Sequence, residues 1–423
     1  MARLVFTTIG SAGDLFPLLP VGRELRDRGH EVLFAANPWF RSAVEREAFP
    51  FHPTGPHLGP EEYAIRPEIF EPTRGGFPAL QALMKHFILP HLPTVVRDLR
   101  TAAEGADLLL THPAQLAAPM VAELTGVRWG TLSVFPGNIP SRCTVPQGAL
   151  LSAMGGAVGR IANGVAWAAA RAAMRFSFDR DLNRVRDEFG LARGRDLFLL
   201  SGLSAQQVLV LCPPEYCEPP ADWAPSVRCT GYTLFDTPRN WRDPPELQAF
   251  LDDGPPPVLV SLGTSAAMDA GSFVAVVESA LDELGLRGLF LVGQESNLPT
   301  GHSSCHAHFA YVPLSRVLGW SAVALHPGGF GTVAQVVTAG VPSVVVPRAF
   351  DQAYHGARIE ALGLGRTVPW ARLRAGRLVA ALRDVQEDVG LRPRCREFAE
   401  SLRGGNGVKV ACDRIEERLR ERA

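Results

Sequence analysis

The chain has 423 residues, 46% of them hydrophobic, and a formal net charge of −1. A charge this close to zero excludes an overall basic nucleic-acid binder, and the length suits two cores better than one. The seven cysteines, at 143, 212, 217, 229, 305, 395 and 412, form no CxxC pair, so free thiols in a reducing compartment are expected.

The chain opens on ARLVFTTIG, a strand over residues 2–9 with no charged leader and apolar segment before it. A cytoplasmic protein is expected. Residues 17–28 place Leu18, Leu19, Gly22 and Leu25 on one helical face. Strands follow at 31–36, 106–111 and 129–134, with a helix over 116–125, and residues 207–212 read as a late strand of the same domain. Residues 55–100 and 136–205 interrupt this alternation with proline-rich loops and amphipathic helices. Segment 145–174 is rich in alanine and glycine, but Arg160 and Arg171 break it, so no run is long enough to span a membrane. At most peripheral membrane contact is expected.

Residues 213–256 carry CPPEYCEPPADWAPS, DTPRNWRDPP and GPPP, the composition of a linker. Strands resume after Pro257 with VLVSLGT, then at 289–292, 322–326 and 343–347. Strand and helix alternating in this way imply parallel sheets, an α/β protein. The expected division is 1–212, a linker at 213–256, 257–405, and a C-terminal helix at 406–423 that either returns to the first domain or packs on the second. HSSCHAH, at 302–308, reads as a short polar loop without a second ligand cluster, so no metal is expected there.

The most informative stretch is 321–347, SAVALHPGGFGTVAQVVTAGVPSVVVP: strand, glycine turn, helix, strand. Gly328, Gly329 and Gly331 have no Cβ, and Thr332 follows, so backbone N–H groups at a helix start can approach an anion closely. His326 beside the turn could donate to the same anion. Asp351 and Gln352 follow the next strand, and in an open α/β sheet both segments belong at the carboxyl edge, where ligands bind. A diphosphate with an attached sugar suits that set. Tight-turn packing for the glycines and an ordinary N-cap for Asp351 are the structural alternatives. A dinucleotide dehydrogenase fits poorly: the first turn, Gly10-Ser11-Ala12-Gly13-Asp14, lacks GxGxxG, and the second strand ends AAN without an acid.

HPGGFGT followed by PRAFDQAYHGARIEALG, with GSAGDLFPLLPVGRELRDRGHEV near the start, resembles family 1 glycosyltransferases, closest to the rhamnosyltransferase-chain-B, sterol and antibiotic branches. The resemblance spans nearly the whole chain. It implies a GT-B fold, two Rossmann-like domains facing across a cleft, the first binding acceptor and the second binding donor. It implies inverting transfer of a hexose or deoxyhexose from a UDP- or dTDP-sugar, without metal or other cofactor, to a hydroxyl of a lipophilic small molecule in natural-product biosynthesis. His326, Gly328, Gly329, Gly331, Thr332 and Thr264 would meet the diphosphate, and Asp351 and Gln352 the sugar. Tyr311 and Val312 would meet the base, although relatives often carry tryptophan where Tyr311 stands and glutamine where Leu314 stands. Segments 77–92 and 150–178 suit a lipophilic acceptor. Asp14 stands where many relatives place a histidine base, and His112 where they place its aspartate partner, so the pair reads as exchanged. Helix capping by Asp14 and a structural His112 are the alternatives, and histidine is the better base near neutral pH. Two other functions share the motifs: a nucleotide-sugar epimerase or hydrolase, and a non-catalytic nucleotide-sugar-binding partner. A monomer and a homodimer are equally compatible.

Overall fold

The computed structural model describes residues 1–9, 11–59, 76–146, 155–236, 241–263, 270–299 and 305–421. The described residues form two compact units, the first within residues 1–59, 77–235 and 405–421, the second from residue 76 and within residues 236–404.

The first unit is built on a seven-stranded parallel sheet: β1 (Arg3–Thr8), β2 (Glu31–Ala36), β3 (Phe51–Pro53), β4 (Leu108–Thr111), β5 (Trp129–Ser133), β6 (Val208–Val210) and β7 (Val227–Cys229). Its order is β3-β2-β1-β4-β5-β6-β7. β1 and β4 are buried almost throughout because helices cover both faces, which is why they read as unbroken apolar runs. Short α1 (Ala12–Leu15) and then α2 (Leu18–Asp27) follow β1. Gly22 lets α2 lie against β2, since a Cβ there would sit 2.9 Å from the Phe34 ring. α3 (Leu92–Ala102) starts with proline in its first turn and buries Leu92, Val95, Val96, Leu99 and Ala102, the spacing of one helical face. With α4 (Ala117–Thr125) and the second half of α5 (Gly156–Glu188), it covers Val5 and Leu109 in one apolar core. Each fully buried leucine there contributes about 1.5–3 kcal/mol. α6 (Pro214–Cys217) precedes β7.

The second unit holds α7 (Pro245–Asp252), β8 (Val258–Ser261), α8 (Ala270–Leu284), β9 (Gly288–Leu291), β10 (His306–Phe309), β11 (Val323–His326), α9 (Phe330–Thr338), β12 (Ser343–Val345), α10 (Gln352–Ala361) and β13 (Gly365–Thr367). Its six strands are parallel, in the order β10-β9-β8-β11-β12-β13. In both sheets the direction of winding reverses beside the first strand, between β1 and β4 and between β8 and β11. Such switch points open a crevice at the carboxyl ends of the strands.

The last helix, α11 (Gly407–Arg420), packs on α2 of the first unit. Arg28 meets Asp413 at 2.6 Å, His30 meets Glu416 at 3.1 Å, and Gln207 donates to the Arg414 carbonyl at 2.8 Å.

Two sequence expectations are corrected. Residues 213–256 are not one linker: β7 pairs with β6 at the edge of the first sheet, and α7 buries Leu247 and Leu251 in the second core. The HSSCHAH stretch is not all loop, because its end is β10. His306 and His308, two apart on the strand, face Asp282 at 3.0 Å and Glu278 at 2.8 Å, four apart on α8. The repeats of a strand and a helix nearly coincide over that distance, about 6 Å. Burial holds the His308 imidazole below its ordinary range, against the pull of Glu278.

Candidate active site

At the first switch point the chain leaves β1 and turns into α1. Ser11 caps that helix: its Oγ accepts from the Gly13 N–H at 3.2 Å. Asp14 closes the box from the other side, with Oδ2 accepting the Ser11 N–H at 2.6 Å. The cap therefore belongs to α1 and not to the helix that starts after Pro17. Asp14 Oδ1 is left facing His112 Nε2 at 3.3 Å. His112 directly follows β4, and its own N–H donates to the Thr7 carbonyl at 3.1 Å. Buried Gln115 ties the same two strand ends, its Nε2 donating to Thr7 Oγ1 at 3.1 Å.

The tautomer of His112 follows from its neighbour. The Ala114 N–H reaches His112 Nδ1 at 3.2 Å. A backbone amide can only donate, so Nδ1 is the acceptor and the neutral ring carries its proton on Nε2. The Asp14 carboxylate lies 3.3 Å from that nitrogen. The Asp14 side chain is 23% exposed, so solvent reaches the carboxylate from the side away from His112.

The second switch point uses the same device. His326 ends β11 and is followed by Pro327, and the Gly328 N–H donates to His326 Nδ1 at 3.1 Å. Here the ring is fully buried, its Nε2 lies 3.4 Å from Ser343 Oγ, and burial, with His355 nearby, pushes its pKa down to about 3. His326 is a neutral brace behind the turn and does not reach an anion, contrary to the sequence expectation. Gly328 is corrected with it. Its amide is engaged by His326, its φ is +94°, and a Cβ would lie 2.7 Å from Val345 Cγ1 and 3.1 Å from the Gln352 carbonyl oxygen. Gly328 shapes the turn. Gly329 is the N-cap of α9 and has no side chain to cap it, and a Cβ on Gly329 or Gly331 would meet nothing within 4 Å. The amides of Gly331 and Thr332 sit in the first turn, where no intrahelical acceptor exists. They form a ready anion seat.

The whole chain aligns with known proteins of one kind. An O-mycaminosyltylonolide 6-deoxyallosyltransferase of Streptomyces fradiae is 31% identical over 98% of this chain and 97% of its own length. This chain is a family 1 glycosyltransferase of the antibiotic-type branch. Family models agree: residues 4–98 match the glycosyltransferase family 28 N-terminal domain, and residues 297–406 the C-terminal domain of erythromycin biosynthesis protein CIII-like proteins. The kitacinnamycin glycosyltransferase structure superposes with a TM-score of 0.71 at 21% identity, covering 99% of both chains. A Streptomyces sp. SF2575 glycosyltransferase, SsfS6, crystallised with thymidine diphosphate, superposes with a TM-score of 0.67 at 20% identity over 99% of this chain and all of that one. The GT-B fold expected of the glycosyltransferase is present.

The remaining expected residues of this glycosyltransferase fall unevenly. Thr264 lies outside the described residues, as do residues 150–154 of the expected acceptor segment. Asp351 has a 23% exposed side chain whose Oδ2 lies 3.3 Å from Nε2 of buried His355. Gln352 is corrected: it is 5% exposed, and its Oε1 accepts the Arg348 and Ala349 N–H groups at 2.8 and 3.0 Å. It shapes the loop before α10. Tyr311 is 46% exposed, stands edge-on to Trp241 with centroids 5.4 Å apart, and donates its hydroxyl to the Asp236 carbonyl. The Val312 side chain is core, so only its backbone could meet a base. Sequence reasoning missed Ser11 and Gln115. The first had a signal, since Ser11-Ala12-Gly13-Asp14 has the spacing of a capping box. The second had none, because it acts across strands.

Proposed function

We propose that this glycosyltransferase inverts the anomeric centre without a metal, moving a hexose or deoxyhexose from a UDP- or dTDP-sugar to a hydroxyl of a lipophilic small molecule. The reading rests on one observation above all: an aspartate in the first turn after β1, partly exposed, with a histidine Nε2 at 3.3 Å. In this mechanism the acceptor hydroxyl attacks the anomeric carbon opposite the leaving nucleotide. Asp14 takes its proton as the new bond forms, and the His112 Nε2–H steadies the carboxylate. The departing diphosphate is stabilised by the amides of Gly331 and Thr332 and by the positive end of α9. Asp351 binds a sugar hydroxyl, and Tyr311 supports the base.

The thymidine diphosphate in SsfS6 and the deoxyallosyl transfer named for the Streptomyces fradiae relative support a dTDP-deoxyhexose within that range. The tylonolide in the latter name supports a macrolide-type acceptor.

The test is a transfer assay with dTDP- and UDP-sugars against macrolide, aromatic and sterol acceptors, with and without EDTA. The expected product has the opposite anomeric configuration from the donor by NMR, at an EDTA-independent rate. Retention of configuration, or loss of activity restored only by a divalent cation, would overturn this reading. Sugar released or epimerised at full rate without acceptor would move the protein to the hydrolase or epimerase class.

A further inference from the structure

We propose that Cys217 and Cys229 are a disulfide-forming site, closed by small disulfide oxidants and opened by thiols. Their Sγ atoms lie 3.1 Å apart. A disulfide needs about 2.05 Å, so closure asks for a movement of roughly 1 Å. Both thiols are held in place by backbone. Cys217 ends α6, with its N–H donating to the Pro213 carbonyl at 3.0 Å and fully buried Tyr216 before it. Cys229 ends β7, in register with Val210 of β6, and the next residue, Thr230, donates its N–H to the Val210 carbonyl at 2.9 Å. The third nearby cysteine, Cys212, is fully buried and bonds Tyr232. Pairing is therefore selective between two of the seven cysteines.

Solvent reaches the two unequally. Cys217 is 8% exposed and Cys229 is half-buried, so a reagent meets Cys229 first. The Cys229 thiolate attacks one sulfur of a low-molecular-weight disulfide, whose S–S bond breaks and releases one thiol carrying the proton. The Cys217 thiolate then attacks the mixed disulfide at Cys229 and expels the second thiol. Two protein thiols are oxidised, one reagent disulfide is reduced to two thiols, and the protons leave on those thiols. The Cys217 contact and burial hold the Cys229 thiol above its ordinary range, so exchange is slow at neutral pH and speeds up as pH rises. Closure ties the exposed edge strand of the first sheet to α6.

The experiment exposes the full-length protein to oxidised glutathione at pH 7 and pH 8, then alkylates remaining thiols. Digestion with trypsin plus a glutamyl endopeptidase, which cuts after Glu215, separates Cys217 from Cys212. The expected result is a peptide joining Cys217 to Cys229, lighter by two hydrogens than the separate pair. It should form about tenfold faster at pH 8 than at pH 7. The oxidised protein should melt roughly 5 °C higher, reversibly with dithiothreitol, because a short ring is closed in the unfolded chain. Cys305→Ser should keep the link and the shift, and Cys229→Ser should lose both. Glutathione resting stably on Cys229 while Cys217 is alkylated, a link through Cys212 or Cys305, or full alkylation of both thiols after oxidant would each overturn the proposal.

Discussion

His112-Pro113-Ala114 and His326-Pro327-Gly328 are the same device at corresponding strand ends of the two sheets. Each histidine stands at or just past the end of the strand beside the switch point, and each takes the amide of the residue two further on at its Nδ1, at 3.2 Å and 3.1 Å. What differs is the other nitrogen. His112 Nε2 faces a carboxylate that water can reach, whereas His326 Nε2 faces a serine hydroxyl in a sealed core. One local geometry thus sets a histidine beside a solvent-reachable carboxylate in the first unit and a sealed, neutral brace in the second. A histidine next to a ligand-binding turn is not thereby a ligand contact. Its role depends on what the distal nitrogen meets and on whether charge can be solvated there.

The sharpest way to break this contrast is Asp14→Asn, which keeps the shape and removes the base. Turnover should fall by about 10²–10⁴-fold, with donor affinity by calorimetry unchanged. Near-normal turnover would place the proton transfer elsewhere. His112→Ala should cost less, roughly 10–100-fold in kcat, and the double variant should be little worse than Asp14→Asn alone, since the two act as a unit. Multiplied effects in the double variant would mean that they act independently.

The glycines sharpen the second half of the contrast. Gly328→Ala should lower stability by about 1–3 kcal/mol in denaturant melts, from positive φ and overlap with Val345 and α10. Gly329→Ala, with open space around its new methyl group, should melt as the wild type does yet bind donor roughly tenfold more weakly, because the methyl keeps phosphate from the helix end. Equal donor affinity in Gly329→Ala would leave that helix end without a guest.

The smallest effect concerns pH. Burial, with His355 nearby, holds the His326 imidazole at about 3 when folded, against an ordinary 6.5. Between those values the unfolded chain binds more protons, so this group's contribution is fully present above the unfolded value and is lost as pH falls toward 3. His326→Asn retains an acceptor for the Gly328 amide and does not titrate. Its stability should fall less steeply than the wild type's between pH 7 and pH 5. Parallel curves would show that His326 takes up protons while folded.

Much of the fold was legible because it is written in local periodicity. The strand at 31–36 ends where expected, and β1, β4, β5 and β11 deviate by two residues at most. Four strands were missed, β3, β7, β10 and β13, and all lie on the outer parts of the sheets. They are three or four residues long and carry histidine, arginine or proline where a central strand carries valine and leucine, so no apolar run announces them. Their partners across the sheet make them strands.

The candidate site divides along the same line. Glycines at a strand-to-helix turn, an acid after the first strand and a histidine after a later one are short-range patterns, and the sequence alone determined them along with the α/β class. Only the tertiary structure decided that Asp14 and His112 meet, that His326 is sealed and neutral, and that Gln352 holds a loop. Those outcomes depend on which distant atoms fill the space around each polar group, and burial and hydrogen-bond pairing are properties of the packed chain.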